Sequence, residues 1–525
     1  MLTPAELGLP SKFTSWRQGQ YSTVLKILAS KKFAFLLDSP TGTGKSLLGA
    51  SIQAISGQKA VYLTSTKQLQ DQLLKDFPYA RMLMGRNNYP CLMFMKEYPA
   101  VSAEQCVAST GKRQCKLQSS CPYMKAKMAA MAAPLAILNY SYFIAETNFS
   151  KAEEGSGFAD RFVICDECDS IESHLMGFVQ VEVTQRQIDR LKLNPPKFKT
   201  KAESWIEWAH IITPSVSHEL RDIENLMAMS TAAAEKNTAW STEDVALIKR
   251  HQEYSRLLSK LEFMKREVNM DSWVFLQAED AWTFKPVWIA KYAHNNFWQY
   301  IDHCLCMSAT ILDPVQYAKN VGITSFDYLR LPSPFPKENR PIIYQPAADL
   351  TFKNMDAELP RLVVAIRAIL EKHPSEKILI HTTSYKVKEY ILGHMNSNRL
   401  ISHNTKDRTQ KLEEFKRSTR PLALVSPSMD RGIDLPDDLC RVVIVTKLPY
   451  PSLGDPQVKK RVYASKDGDA WYAHHTISTL IQMCGRGVRS ETDWCTIYIL
   501  DKQFGVLYEK RKAMFPDWFR EAVVM

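Results

Sequence analysis

Residues 33–54, FAFLLDSPTGTGKSLLGASIQA, constrain the fold more than any other stretch of this chain. The apolar run 33–37 reads as a buried strand, a glycine-containing loop follows, and a helical pattern takes over from Leu47. A strand that turns directly into a helix this way implies a parallel sheet built from crossover units. It also makes a phosphate cradle. Gly42 and Gly44 let backbone N–H groups approach phosphate oxygens, Lys45 reaches the terminal phosphates, and the Ser46 hydroxyl can hold magnesium at the helix start. Thr41 and Thr43 complete the nucleotide-binding set. Position 39 is Ser where the simple pattern has Gly. A chance Gly/Thr turn ending in Lys-Ser is the plain alternative, and the strand before and helix after argue against it.

A nucleotide site of this kind needs a second strand that delivers acid to the metal. Residues 161–169, RFVICDECD, fit that need: an apolar run ends at Asp166, placed to hold magnesium, and Glu167, placed to orient or deprotonate the attacking water. The same residues contain Cys165-x-x-Cys168, which by itself suggests a metal or redox pair. A solvated acidic turn is the other plain reading.

At 525 residues the chain calls for two to four domains, and 45% hydrophobic with 23% charged residues places it among folded globular proteins. The formal net charge of +11 suits a polyanionic partner, or is scattered solubilising charge. The N-terminus lacks a secretory pattern, and the one long apolar stretch, residues 128–145, is interrupted by Pro134 and Asn139, so no membrane span is expected. With no export signal, the 11 cysteines are expected to be thiols or metal ligands in a cytoplasmic setting, or nuclear in a eukaryote. Four of them, Cys91, Cys106, Cys115 and Cys121, lie between the phosphate loop and the acidic strand at separations of 15, 9 and 6. That spacing leaves an iron–sulfur cluster, a zinc site and four unrelated thiols all open.

Further strand patterns fall at 60–64, 135–138 and 303–307, and a second set at 378–382, 422–426, 442–445 and 496–500. Between the sets, residues 202–268 carry helical stripes (Leu220, Ile223, Leu226; Leu247, Tyr254, Leu257, Leu261, Met264) and read as antiparallel helices.

Several segments, in order, resemble the motifs of superfamily 2 helicases: MSAT at 307–310, DRGIDLP at 430–436 and QMCGRGVRSETD at 482–493. GRNNYPC at 85–91, CPYM at 121–124, ILNYSYFI at 137–144, SPF at 333–335 and KLPYPSLGDP at 447–456 are similar to the XPD/DinG family within it, closest to DinG-like members in a short form. The resemblance implies an α/β fold of two RecA-like parallel-sheet motor domains, the first carrying an iron–sulfur insert and a helical Arch-like insert. The corresponding boundaries are 1–86, 127–190 and 276–325 for the first motor domain, 87–126 for the iron–sulfur insert, 191–275 for the Arch and 326–525 for the second motor domain.

It implies an ATP- and magnesium-dependent single-stranded DNA translocase and helicase, moving 5′ to 3′ as a monomer on DNA, junctions or forks, with RNA a further candidate partner. Arg17 and Gln20 match the adenine-side motif, and residues 64–73 the DNA-contacting motif Ia. Gly432 and Asp434 add to the nucleotide set from the second domain. Gln482, Arg486 and Arg489, at spacings that share one helix face, would reach the ATP on domain closure. Lys45, Glu167, Gln482, Arg486 and Arg489 are then the catalytic set. Cys91, Cys106, Cys115 and Cys121 would hold a [4Fe-4S] cluster in an insert bearing Lys112, Arg113, Lys116, Lys125 and Lys127, and Cys165 and Cys168 become bystanders. Tyr385 occupies a DNA-approaching position, with core packing the alternative.

The chain departs from the family at three places: DECD stands for DEAH, Arg431 for a common Glu, and Tyr140 follows Asn139 where His is usual. Asp169 therefore has an open role, either touching the segment around Ser308 and Thr310 or solvating a turn. A nucleic-acid-binding recruitment subunit without unwinding activity is the rival function, and an RNA helicase a third.

Overall fold

The computed structural model describes residues 2–93, 101–106, 115, 117–149, 157–158, 160–234, 242–429 and 435–525. Ten strands come first: β1 (Ala34–Asp38), β2 (Ala60–Thr64), β3 (Arg81–Met82), β4 (Leu135–Asn139), β5 (Phe162–Asp166), β6 (Val181–Thr184), β7 (Trp273–Gln277), β8 (Ala281–Pro286), β9 (Cys304–Ser308) and β10 (Phe326–Arg330). Seven of them form a parallel sheet in the order β10-β1-β9-β5-β2-β4-β3. Its central strands read as unbroken apolar runs because both faces are covered. Leu36, Val61, Leu63, Val163, Cys165 and Cys306 enter one core, while Phe35, Leu37, Tyr62, Ile164, Leu305 and Met307 enter the other.

The second sheet is also parallel and seven-stranded: β11 (Ile342–Ala348), β12 (Ile378–His381), β13 (Leu400–Ser402), β14 (Ala423–Ser426), β15 (Val442–Val445), β16 (Thr496–Asp501) and β17 (Val523–Val524), in the order β13-β14-β12-β15-β16-β11-β17. The two sheets are the RecA-like pair that the sequence implies. One boundary needs correction. Strand β10 lies beyond the expected break at 325/326 yet pairs with β1 from Ala34↔Phe326 to Asp38↔Arg330, so the first domain runs one strand further. Its residues FDYLR are half-buried at the sheet edge, which removes the apolar run that marked the other strands.

The helical insert is two long helices, Ala202–Ala234 and Thr242–Glu267, side by side. They stand on the antiparallel sheet β6-β8-β7, whose strands come from both sides of the insert in sequence. Trp205 fixes the base, its ring 5.3 Å from Trp208 and 4.6 Å from Trp282. No helix among the described residues is long and apolar enough to cross a membrane.

Candidate nucleotide site between two parallel sheets

In an open parallel sheet, ligands bind beyond the carboxyl ends of the strands. Here β1 ends in the phosphate loop, β5 in Asp166 and Glu167, β9 in Ser308 and Thr310, and β2 in Ser65. These four ends come together because β1, β9, β5 and β2 are consecutive in the sheet.

The loop adopts the left-handed backbone its glycines allow, with φ of 84° at Gly42 and 78° at Gly44. The Lys45 ammonium donates to the carbonyls of Ser39 at 3.0 Å and Pro40 at 3.2 Å. Burial lowers its pKa, and Asp166 and Glu167 oppose that shift. Thr43 Oγ1 donates to the Pro40 carbonyl at 2.9 Å and is hydrogen-bonded to Ser39 Oγ. Gln20, buried, donates from Nε2 to the Thr43 carbonyl at 2.7 Å and accepts from the Arg17 N–H at 2.7 Å, so both ends of its amide are engaged by the loop and by the turn before it. The Arg17 side chain is exposed.

Asp166 is buried at the end of β5; its Oδ2 accepts from Tyr62 at 3.0 Å and its Oδ1 from the Glu167 N–H at 2.9 Å. Ser46 sits beside the Tyr62 hydroxyl, which brings the two expected magnesium-holding side chains onto one phenol. Glu167 has φ 49° and its carboxylate accepts from Ser65 Oγ. Burial and then the neighbouring Asp166 raise its pKa, while Arg486 pulls it down. Burial likewise raises Asp166, against Lys45.

Asp169 turns inward. Ser308 Oγ donates to Asp169 Oδ1 at 2.6 Å, and Ser308 Oγ lies 3.0 Å from Thr310 Oγ1. Gln482 Nε2 donates to Thr310 Oγ1 at 3.3 Å, and Arg486 Nη2 donates to Gln482 Oε1 at 3.0 Å. An ionised carboxylate accepts only, so Ser308 spends its proton on Asp169 and Thr310 must donate to Ser308. The hydrogen bonds then all point one way, from Arg486 through Gln482, Thr310 and Ser308 to Asp169. Such a head-to-tail chain polarises each bond in the same sense.

The cleft is closed. Gly485 packs so near the phosphate loop that a Cβ there would sit 3.4 Å from Thr41 Oγ1. Arg489 lies close enough to Lys45 to depress its ammonium, while its own Nη1 donates to the carbonyls of Gly485 at 2.9 Å and Val488 at 3.0 Å. The helix expected to carry all three residues carries one. It spans Gly468–Cys484, and Arg486 and Arg489 follow in a turn. Gly485 is the helix C-cap, and beyond it Gly487 lies so close to Cys495 that a Cβ there would sit 2.4 Å from its Sγ.

Sequence reasoning missed Tyr62, Ser65, Phe335 and His381. Tyr62 is camouflaged as a core strand residue. Ser65 sits in a Thr-Ser-Thr run at a strand end, a polar cue that was available. Phe335 covers the phosphate loop from the second domain: a Cβ on Gly42 would fall 1.9 Å from its ring. His381 is buried near Arg486, and burial with that charge pushes its pKa down to about 3, keeping it neutral.

Other expected residues divide. Gly432, Asp434 and Arg431 lie outside the described residues, as do Lys112, Arg113 and Lys116. Lys127 is paired with Glu146 at 2.5 Å, leaving Lys125 exposed. Tyr385 is 49% exposed at a helix start rather than packed in the core. Cys165 and Cys168 are fully buried under the site.

Cys91, Cys106, Cys115 and Cys121 are all half-buried. A bridge between Pro90 and Ser102, with the Cys91 N–H on the Val101 carbonyl at 3.0 Å, lays the first beside the segment leading to the second. Cys121 caps the helix Pro122–Ala132. Burial, and then the nearby Cys106 and Cys121, raise the Cys115 thiol. Among the described residues no group of three or more potential ligands is drawn to metal-binding distance. The donor set itself, four half-buried thiols, has the chemistry of a cluster with one cysteine per iron.

Comparison with known proteins agrees with this architecture. The helicase C-terminal domain model matches residues 366–522, and the model DEAD_2 matches residues 93–188. The chain is 22% identical to a probable ATP-dependent helicase of Methanocaldococcus jannaschii, covering 93% of this chain and 92% of that one. It is 20% identical to the ATP-dependent DNA helicase YoaA of Escherichia coli, covering 93% and 91%. Among solved structures, an XPD helicase superposes with a TM-score of 0.64 at 14% identity over 95% of this chain and 98% of that one. Xpd4 of S. tokodaii gives 0.59 at 15% identity over 97% and 99%.

Two RecA-like sheets with a phosphate loop, an acidic strand end and arginines facing them across a cleft define a superfamily 2 motor. Within that class the chain is similar to helicases of the XPD/DinG type, and residues 366–522 match the helicase C-terminal domain.

Proposed function

We propose that the chain is an ATP-dependent DNA helicase that steps along single-stranded DNA toward the 3′ end. The observation that carries this reading is the one-way hydrogen-bond chain from Arg486 to Asp169, which joins the second domain to the acidic strand end. A site where hydrolysis and domain closure share one set of bonds converts one into the other. In it Lys45 and Ser46 take the phosphates and magnesium, Asp166 holds the metal, Glu167 accepts a proton from the attacking water, and Arg486 and Arg489 meet the charge of the transferring phosphoryl group. Thr41, Gly42, Thr43 and Gly44 cradle the phosphates, with Arg17 and Gln20 at the adenine side and Gly432 and Asp434 from the second domain. The test is ATP hydrolysis with and without single-stranded DNA, followed by strand displacement from substrates tailed at either end. Displacement that needs a 5′ tail supports the direction; a need for a 3′ tail reverses it. Stronger stimulation by RNA would favour an RNA helicase.

The same reading assigns Cys91, Cys106, Cys115 and Cys121 to a [4Fe-4S] cluster. When bound, the cluster would cross-link the segments that carry these cysteines, among them the bridged loop at Cys91 and the helix N-cap at Cys121. Anaerobically purified protein should contain iron and sulfide, and Cys106→Ser should lose them. Zinc without iron would overturn the assignment. A retained iron content in Cys106→Ser would show the ligand frame to be misread.

A further inference from the structure

Outside the phosphate loop and the acidic strand end, another cross-domain contact is built around one buried charge. Arg461, on the helix Pro456–Ala464 of the second domain, is only 5% exposed. Its guanidinium lies 4.8 Å from the ring centroid of Trp288 and 4.8 Å from that of Trp471. The two rings stand 6.1 Å apart at 90° to each other. Its Nη2 pairs with Glu172 Oε1 at 2.6 Å and its Nε donates to the Val287 carbonyl at 2.6 Å. Glu172, Val287 and Trp288 belong to the first domain, Trp471 to the second.

The elements joined here are those that carry the chemistry. Glu172 is in the first turn of the helix Ile171–Val179, three residues after Asp169. Trp471 is in the helix Gly468–Cys484, three turns before Gln482. Helix Pro456–Ala464 docks through residues spaced on one face: Gln457 Nε2 donates to the Pro286 carbonyl at 2.7 Å and Lys460 Nζ to the Met270 carbonyl at 2.5 Å. Gly468 lets the following helix approach, since a Cβ there would lie 2.5 Å from the Arg461 carbonyl and 2.2 Å from that of Val462.

A planar guanidinium can stack on aromatic faces and hydrogen-bond at its edge simultaneously, which an ammonium cannot do. A buried charge without its partners is strongly unfavourable, so the contact is either fully made or released.

We infer that Arg461 is a positioning residue for the motor: gripped by Trp288, Trp471 and Glu172, it latches the second domain against the first so that Gln482 and Arg486 meet Thr310 and Glu167. The inference rests on the helicase reading for its rate consequence and on geometry alone for the closure. It is tested with Arg461→Met, Arg461→Lys and Glu172→Gln beside the wild type. Readouts are KM for ATP, kcat with saturating single-stranded DNA, and closure measured between cysteine-sparing labels at Met128 and Val364 with and without ADP–beryllofluoride.

In Arg461→Met, kcat should fall roughly tenfold, the scale on which two sites are commonly coupled, with KM changed less than about twofold. The closed population with ADP–beryllofluoride should fall too. Arg461→Lys should fail to rescue, because it keeps the charge and loses the stack. Should Arg461→Met not fold, Glu172→Gln, which leaves both ring contacts in place, carries the test with a milder loss of kcat and closure. Unchanged kcat and closure in the variant that folds would overturn the latch, as would a loss explained by a proportional rise in KM. If DNA fails to stimulate the wild type, the helicase reading falls and the latch is judged on closure alone.

Discussion

Glu167 shows how environment sets a residue's task. Its carboxyl sits beside Asp166 in a buried site, and both effects hold its pKa above the ordinary glutamate range. A proton acceptor raised in this way is better matched to neutral pH. In the magnesium-free protein the Glu167 carboxyl should therefore titrate above the usual glutamate value of about 4.3, as read by carboxyl infrared difference spectra against Glu167→Gln. A raised carboxyl is better accommodated neutral, so its contribution to stability is present below the unfolded value and is lost as pH rises through the folded one. Glu167→Gln should still bind ATP, by nucleotide titration, while hydrolysis drops about 10²- to 10⁴-fold, the usual span for removing a general base. Asp169 was the residue whose type broke the family pattern and whose role the sequence left open. The structure puts it at the receiving end of the chain from Arg486. Asp169→Ala removes a charged acceptor of about 1.5–3 kcal/mol, so DNA-stimulated kcat should drop about tenfold or more. Asp169→Asn keeps an acceptor oxygen and should lose less. Equal rates for wild type and both variants would show that the chain carries no coupling.

At the level of elements, what the sequence revealed depended on burial. Strands β1, β2, β5, β12, β14, β15 and β16 read cleanly because both their faces are covered, which makes the apolar run continuous. Strand β10 escaped notice because an edge strand keeps polar residues. Strand β11 escaped because its register against β16 shifts between Tyr344 and Ala348, around a proline that cannot donate to the ladder. Spacing placed Arg486 and Arg489 on a helix face, yet the helix ends at Cys484 with Gly485 as its C-cap, before either arginine. The phosphate loop was legible almost whole. What was missing was its lid: Phe335, some 290 residues away, fills the space beside Gly42. Gly42→Ala combines a left-handed backbone, about 1–3 kcal/mol of strain, with a collision against that ring. The variant should lose nucleotide affinity and melt several degrees lower, because the ring it strikes belongs to the second-domain core.

Among the contacts that join the two domains, such as His474 Nε2 with the Ile311 carbonyl at 2.9 Å, two bear directly on the motor. One is the nucleotide cleft, where Gly485 approaches Thr41 and Arg486 faces Glu167; the other is the Arg461 post, which ties the neighbouring helices. The opposed readings of Cys165, Asp166, Glu167 and Cys168 separate at this scale. Cys165 and Asp166 face opposite ways because side chains alternate along β5, and the left-handed Glu167 and the turn after it send the second acid to the cleft and Cys168 to the core. The central claim is that closing the second domain on the first drives hydrolysis when DNA is bound. Steady-state ATP hydrolysis by the wild-type chain, with and without saturating single-stranded DNA, tests it most directly. The rate should rise severalfold with DNA and collapse in Glu167→Gln. Hydrolysis indifferent to DNA, or no faster than in Glu167→Gln, would contradict it.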